Sequence, residues 1–209
     1  MRPIVLIPYR DRVNHLNKLV DALSSYFPPT DVYVIEQFDD GPFNKGAILN
    51  AGFKETQSMG DYFILHDVDQ LPITGKVDYS YASCPTHISA HCSQFGYAIP
   101  YEQILGGVVI VPKEQFYLIN GFPNSFRGWG GEDDMFFQSF MLKKIKVERR
   151  ACWFESLDHE RKIDPTYYRN NLYLLRSGRN FADGISSCEY QVVSREQRLL
   201  YNIIKIKLF

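Results

Sequence analysis

Three short apolar runs near the start restrict what this chain can fold into more than any other feature. Pro3–Pro8 (PIVLIP), Asp31–Glu36 (DVYVIE) and Tyr62–His66 (YFILH) are separated by two stretches of helical character. A run that is apolar at nearly every position suits a strand covered on both faces. Between the first two runs, Val13, Leu16, Leu19, Val20, Leu23 and Phe27 recur at helical spacing over Arg12–Phe27, and Asn44–Ser58 suits a second helix. This β-α-β-α-β order predicts a parallel sheet with helices on both faces.

The second half reads as mixed. His87–Cys92, Gly107–Val111 and Lys146–Arg149 are expected as strands, and Lys113–Ile119, Glu132–Lys144 and Pro165–Ser177 as helices. The tail Tyr201–Leu208 alternates in its last residues and is expected as an antiparallel strand. No linker or repeat divides the chain, so the expected architecture is a single α/β domain over residues 1–209 with a mixed sheet.

A formal net charge of −1 provides no electrostatic ground for nucleic-acid or anionic-membrane binding, so any phosphate must be held by local features. No apolar run reaches the roughly 18–20 residues of a spanning helix. Cys84, Cys92, Cys152 and Cys188 lack the CxxC spacing of a structural zinc site. Free thiols in a reducing compartment are expected, with a Cys84–Cys92 disulfide as the alternative. The opening MRPIVLIPYR enters a strand directly. A cytoplasmic setting of bacterial or viral type is therefore expected, with work at the membrane on a lipid-linked acceptor, or a Golgi lumen if an anchor precedes the chain.

Chemistry concentrates in four places. The third strand ends in His66-Asp67-Val68-Asp69-Gln70, and Asp-x-Asp at a strand's carboxyl end suits either a turn or a hard divalent ion beside a diphosphate. Pro8-Tyr9-Arg10-Asp11-Arg12 ends the first strand, where two arginines can grip phosphate or pair with neighbouring acids. Phe43-Asn44-Lys45-Gly46 opens a helix with an aromatic and a cation. Arg127-Gly-Trp-Gly-Gly-Glu-Asp-Asp134 sets three acids in the first turn of another helix, after glycines that permit positive φ and close ligand approach. Of the histidines, His159 lies in a polar stretch, while His87 and His91 read as structural and His15 is uninformative.

Together these blocks resemble the β-1,4-galactosyltransferase family of inverting GT-A enzymes. IPYRDR, VIEQ, FNKGAILNAGF, HDVDQLP, GGVVIVPKEQF and INGFPNSFRGWGGEDD occur in the family's order, followed by a His in a polar segment. The resemblance implies a UDP-sugar-dependent β-1,4-glycosyltransferase, with residues 1–72 as the nucleotide-binding half and 73–209 as the acceptor-binding and catalytic half. Pro8, Arg10, Arg12, Phe43, Lys45, Asp67, Val68, Trp129 and Gly131 would bind the donor, UDP-galactose or UDP-N-acetylgalactosamine. Asp69 and His159 would hold Mn²⁺, with Mg²⁺ as a substitute. Asp133 would be the general base with Glu132 beside it, and Asp134 and Tyr101 would bind the acceptor, a terminal GlcNAc, Xyl or other sugar.

Two departures stand out. The family's further metal ligand falls where this chain has Ser156 and Leu157, and its Tyr falls where this chain has Ile104. A smaller aliphatic residue there implies room for a 2-N-acetyl group, so residue 104 is the expected donor-specificity position. Other readings are a related GT-A hexosaminyltransferase of chondroitin-like polymer synthesis, a UDP-sugar-binding protein with little transferase activity, and a nucleotide hydrolase.

Overall fold

The computed structural model describes residues 1–158, 160 and 163–209. In chain order the elements begin with β1 (Pro3–Tyr9), α1 (Val13–Leu23), β2 (Val32–Gln37), α2 (Lys45–Thr56), β3 (Tyr62–His66) and β4 (Gln70–Pro72). Next come β5 (Thr86–His87), β6 (His91–Cys92), β7 (Val108–Pro112), α3 (Lys113–Leu118) and α4 (Glu132–Leu142). The chain ends with β8 (Glu148–Arg149), β9 (Trp153–Ser156), α5 (Pro165–Ser177), β10 (Tyr190–Gln197) and β11 (Asn202–Leu208).

The three apolar runs become the middle of an eight-stranded mixed sheet, ordered β10-β11-β2-β1-β3-β7-β5-β8. β1 pairs in parallel with β2 and β3, whereas β7 lies antiparallel to β3. Alternate residues of β1 feed opposite cores. Ile4 and Leu6 meet Phe53, Phe116, Phe136 and Phe140 from α2, α3 and α4, while Val5 and Ile7 meet Leu16, Leu19 and Leu23 of α1. That division is what a sheet covered on both faces requires. α2 is buried almost throughout, and Gly52 admits it close to the sheet, because a Cβ there would stand 2.6 Å from Ile35.

Four expectations change. The first helix stops at Leu23, where the Ser24 and Ser25 hydroxyls bond back to the carbonyls of Asp21 and Ala22. His87–Cys92 is not one strand: β5 joins the large sheet and β6 joins a three-stranded sheet, β4-β9-β6. The tail strand is antiparallel to β10 as expected, yet it also lies parallel to β2. β4, β9 and β10 appear in addition. All four cysteines are free thiols, and among the described residues no helix is long and apolar enough to cross a membrane.

Candidate active site

The carboxyl ends of β1 and β3 bring the first charged groups together. Arg10 follows β1, donates from Nη1 to the Gly41 carbonyl at 2.6 Å, and lies over the Phe43 ring at 5.5 Å. These two side chains therefore pair a cation with an aromatic face, and Pro8 lies within β1. Arg12 precedes α1, and its Nη1 stands 3.6 Å from the Asp69 carboxylate. Asp67 leaves β3 with its backbone N–H on the Gly107 carbonyl at 2.9 Å, and Val68 is buried behind it.

Lys45, the first residue of α2, is placed by its neighbour's cap: the Asn44 side chain accepts from the Ala47 N–H at 2.9 Å. Its Nζ donates to Asp67 at 3.0 Å and to both oxygens of Asp133 at 2.9 and 3.1 Å. Asp133 sits in the first turn of α4 between Glu132 and Asp134. Burial pushes the Asp133 carboxyl up to about 8; Lys45 opposes that rise, and Glu132 and Asp67 add to it. The cause is countable: Asp67, Glu132 and Asp133 surround one cation, so the cluster favours keeping a proton. Glu132 is raised too, chiefly by burial, and its Oε2 accepts from the Gly130 N–H at 3.2 Å.

Two loops face this cluster. In the first, the Tyr101 hydroxyl donates to Asp134 at 3.0 Å, and Ile104 is buried at the end of the same turn, its N–H on the Tyr101 carbonyl at 3.3 Å. Gly106 lies against the Asp133 carboxylate, where an added Cβ would meet Oδ2 at 2.6 Å. In the second, Gly128, Gly130 and Gly131 all take positive φ, at 69°, 105° and 89°. Only glycine adopts three such angles in four residues without strain. Trp129, 44% exposed, stacks on Tyr168 of α5 with ring centroids 5.8 Å apart.

Of the expected residues, Lys45 joins Asp67 to Asp133, Arg12 meets Asp69, Arg10 meets Phe43, and Tyr101 meets Asp134. His159 lies outside the described residues. Among those described, no group of three His, Cys, Asp or Glu forms a metal site. Asp69 supplies the hard oxygen donors that a divalent cation takes; its carboxylate is 14% exposed, with the Arg12 guanidinium 3.6 Å away. Ser156, at a ligand position of the resembled family, has its hydroxyl 3.2 Å from the Gln70 amide that donates to it. His87 is buried with Nε2 2.8 Å from the Gly106 carbonyl, and His91 stacks on Trp153, as structural readings require. Gly106, Arg149 and Tyr168 stand beside these residues without a role expected from the sequence; the Gly106-Gly107 pair is the one local sign.

The family model described as the N-terminal region of glycosyl transferase group 7 matches residues 1–85, and the one described as the N-terminal domain of galactosyltransferase matches residues 86–163. Human β-1,4-galactosyltransferase 1 is 34% identical over 98% of this chain, and human β-1,4-galactosyltransferase 6 is 35% identical over 95% of it. The chain spans about half the length of these curated relatives, 54% and 55%. The catalytic domain of Drosophila β-1,4-galactosyltransferase 7, solved with xylobiose, superimposes with a TM-score of 0.86 at 26% identity, covering 100% of this chain and 94% of that one. A mutant of that domain, solved with manganese, UDP-Gal and xylobiose, gives a TM-score of 0.82 at 26% identity. Two adjoining family models and relatives matched along nearly the whole chain make it a member of the β-1,4-galactosyltransferase family, with the GT-A fold.

Proposed function

We propose that the protein transfers galactose or N-acetylgalactosamine from a UDP-sugar to a sugar hydroxyl with inversion, in β-1,4 linkage. The observation that carries this reading is Asp133: a largely buried carboxyl of raised basicity, on a helix N-terminus, bonded to a lysine that also bonds Asp67. A base for a sugar hydroxyl has to be near neutrality and within reach of the attacking oxygen. Asp133 removes the hydroxyl proton while that oxygen attacks the anomeric carbon. The bond from that carbon to the UDP oxygen breaks on the opposite face, and its electron pair leaves with UDP.

In this reading residues 1–72 hold the nucleotide and residues 73–209 present acceptor and base. Pro8, Arg10, Phe43 and Arg12 receive uridine and diphosphate, with Lys45, Asp67 and Val68 beneath the sugar. Trp129 and Gly131 cover the donor sugar, and Glu132 tethers that loop at Gly130. Tyr101 and Asp134 grip the acceptor. Asp69, with His159, would hold Mn²⁺, the ion present with UDP-Gal in the Drosophila structure. Bound there, it would neutralise charge on the departing diphosphate. Ile104 governs the choice of donor. Four free thiols agree with a reducing, cytoplasmic setting, in which an acceptor carried on a membrane lipid is reached from solution.

An acceptor screen with UDP-Gal and UDP-GalNAc, with and without Mn²⁺, tests the proposal. NMR of the product should show a β-1,4 bond formed only with Mn²⁺. UDP release without any acceptor, or an α-linked product, overturns it.

A further inference from the structure

The turn that carries Tyr101 and Ile104 is exposed at Glu102 and Gln103, and its own hydrogen bonding is a single long contact from Ile104 to Tyr101. It is nevertheless gripped from behind. Arg149 Nη2 donates to the Glu102 carbonyl and to the Ile104 carbonyl, the latter at 3.2 Å. His87 Nε2 lies 2.8 Å from the Gly106 carbonyl, and a carbonyl can only accept, so this nitrogen carries the proton. Ser89 donates to the same carbonyl at 3.2 Å and accepts from the Val108 N–H at 2.7 Å. Carbonyls 102, 104 and 106 are therefore all anchored.

The anchors themselves form one platform. His87 and Arg149 are register partners in the parallel pair β5–β8, and the Arg150 N–H bonds the His87 carbonyl at 3.0 Å. Arg149 Nε is buried and finds no partner among the described residues. A desolvated, unbonded N–H is a cost, so the placement of this guanidinium follows from the carbonyls it holds. On the far side of the turn stand the reacting groups: Tyr101 bonds Asp134, and Gly106 leaves just enough space for the Asp133 carboxylate.

We propose that Arg149 is a specificity-determining positioning residue. Through the carbonyls of Glu102 and Ile104 it fixes how far Ile104 stands from the donor sugar, so donor choice depends on residue 149 as well as on residue 104. This rests on reading residues 101–107 as the wall of the sugar-transfer site. A pocket discriminates between hexoses by its dimensions only when its wall cannot recede.

The test compares Arg149→Met, Arg149→Lys and Arg150→Met in the 209-residue chain. Arg150 is the control because it donates to the Asp78 and Ser80 carbonyls and makes no contact with the turn. UDP-Gal and UDP-GalNAc compete in one reaction, kcat and KM are taken for each donor, and amide exchange is followed over residues 101–107. Arg149→Met should move the donor ratio toward unity by about 5-fold or more and speed exchange across the turn, and Arg149→Lys should recover part of both. Arg150→Met should leave the ratio within about 2-fold of wild type, even where its melting temperature falls as far. A ratio unchanged in Arg149→Met, or shifted equally by Arg150→Met, overturns the role of Arg149 alone. If Arg149→Met does not fold, Arg149→Lys decides by the same criterion. A wild type that transfers neither sugar overturns the parent reading, and this inference with it.

Discussion

Two regions of the candidate site hold their side chains by different means. In one region, Arg10, Asp67 and Asp69 stand within three residues of the ends of β1 and β3, which are paired at the centre of the sheet. In the facing region, Tyr101, Ile104, Trp129 and Glu132 belong to, or adjoin, loops with glycines at positive φ. In the proposed reading, the charges that meet a diphosphate stand just past the ends of paired strands, and the groups that meet the sugars stand on loops, of which the turn at residues 101–106 is pinned from behind by Arg149, His87 and Ser89. Lys45 joins the two regions, because its Nζ bonds Asp67 of one and Asp133 of the other.

Four changes would break or sharpen that contrast. The largest effect belongs to the strand-end region: Asp69→Ala should lower Mn²⁺-supported transfer by about 10²–10³-fold, measured as initial rate against metal concentration, with melting temperature little changed. In the loop region, Gly106→Ala forces the Asp133 carboxylate aside from a 2.6 Å contact. Its kcat should fall on the order of 100-fold while donor affinity, read by calorimetry, stays near wild type. At the junction, Lys45→Met removes the charge that opposes the rise of Asp133. The base acts unprotonated, so the rate climbs with pH through about 8 in wild type, and that limb should move up by about one unit in the variant. The smallest effect is expected from Tyr168→Ala, which takes away the ring under Trp129; donor KM should change less than about 5-fold.

The legibility of the sequence divides along the same line. The order of β1, α1, β2, α2 and β3 could be read because uninterrupted apolar runs admit few other structures. β10 could not, because its burial alternates along a polar edge strand and its register depends on the hairpin with β11. His87–Cys92 looked continuous, but the Ser89 hydroxyl takes the Val108 N–H, and the chain then leaves the large sheet for the small one. In the site, Lys45, Asp67 and Asp133 were identified from motifs, and the structure adds that one ammonium links both acids. Arg149 and Tyr168 carry no local signature. Arg149 meets the turn from 45 residues away, a relation that only the folded sheet creates.

Asp133 also leaves a mark on stability. Its carboxyl is raised from 3.8 to about 8, so the folded protein keeps a proton that the unfolded chain has already released between those values. That contribution to stability is complete below the unfolded value and is lost as pH rises through about 8. Asp133→Asn should therefore flatten the decline of melting temperature over this interval.

Single-turnover transfer by Asp133→Asn, with UDP-sugar affinity measured on the same protein, tests the central claim most directly. With donor affinity kept within about 3-fold of wild type, the transfer rate should fall about 10²–10⁴-fold, the contribution expected of a general base. A variant that binds donor normally and transfers within about 10-fold of the wild-type rate would contradict the assignment of Asp133.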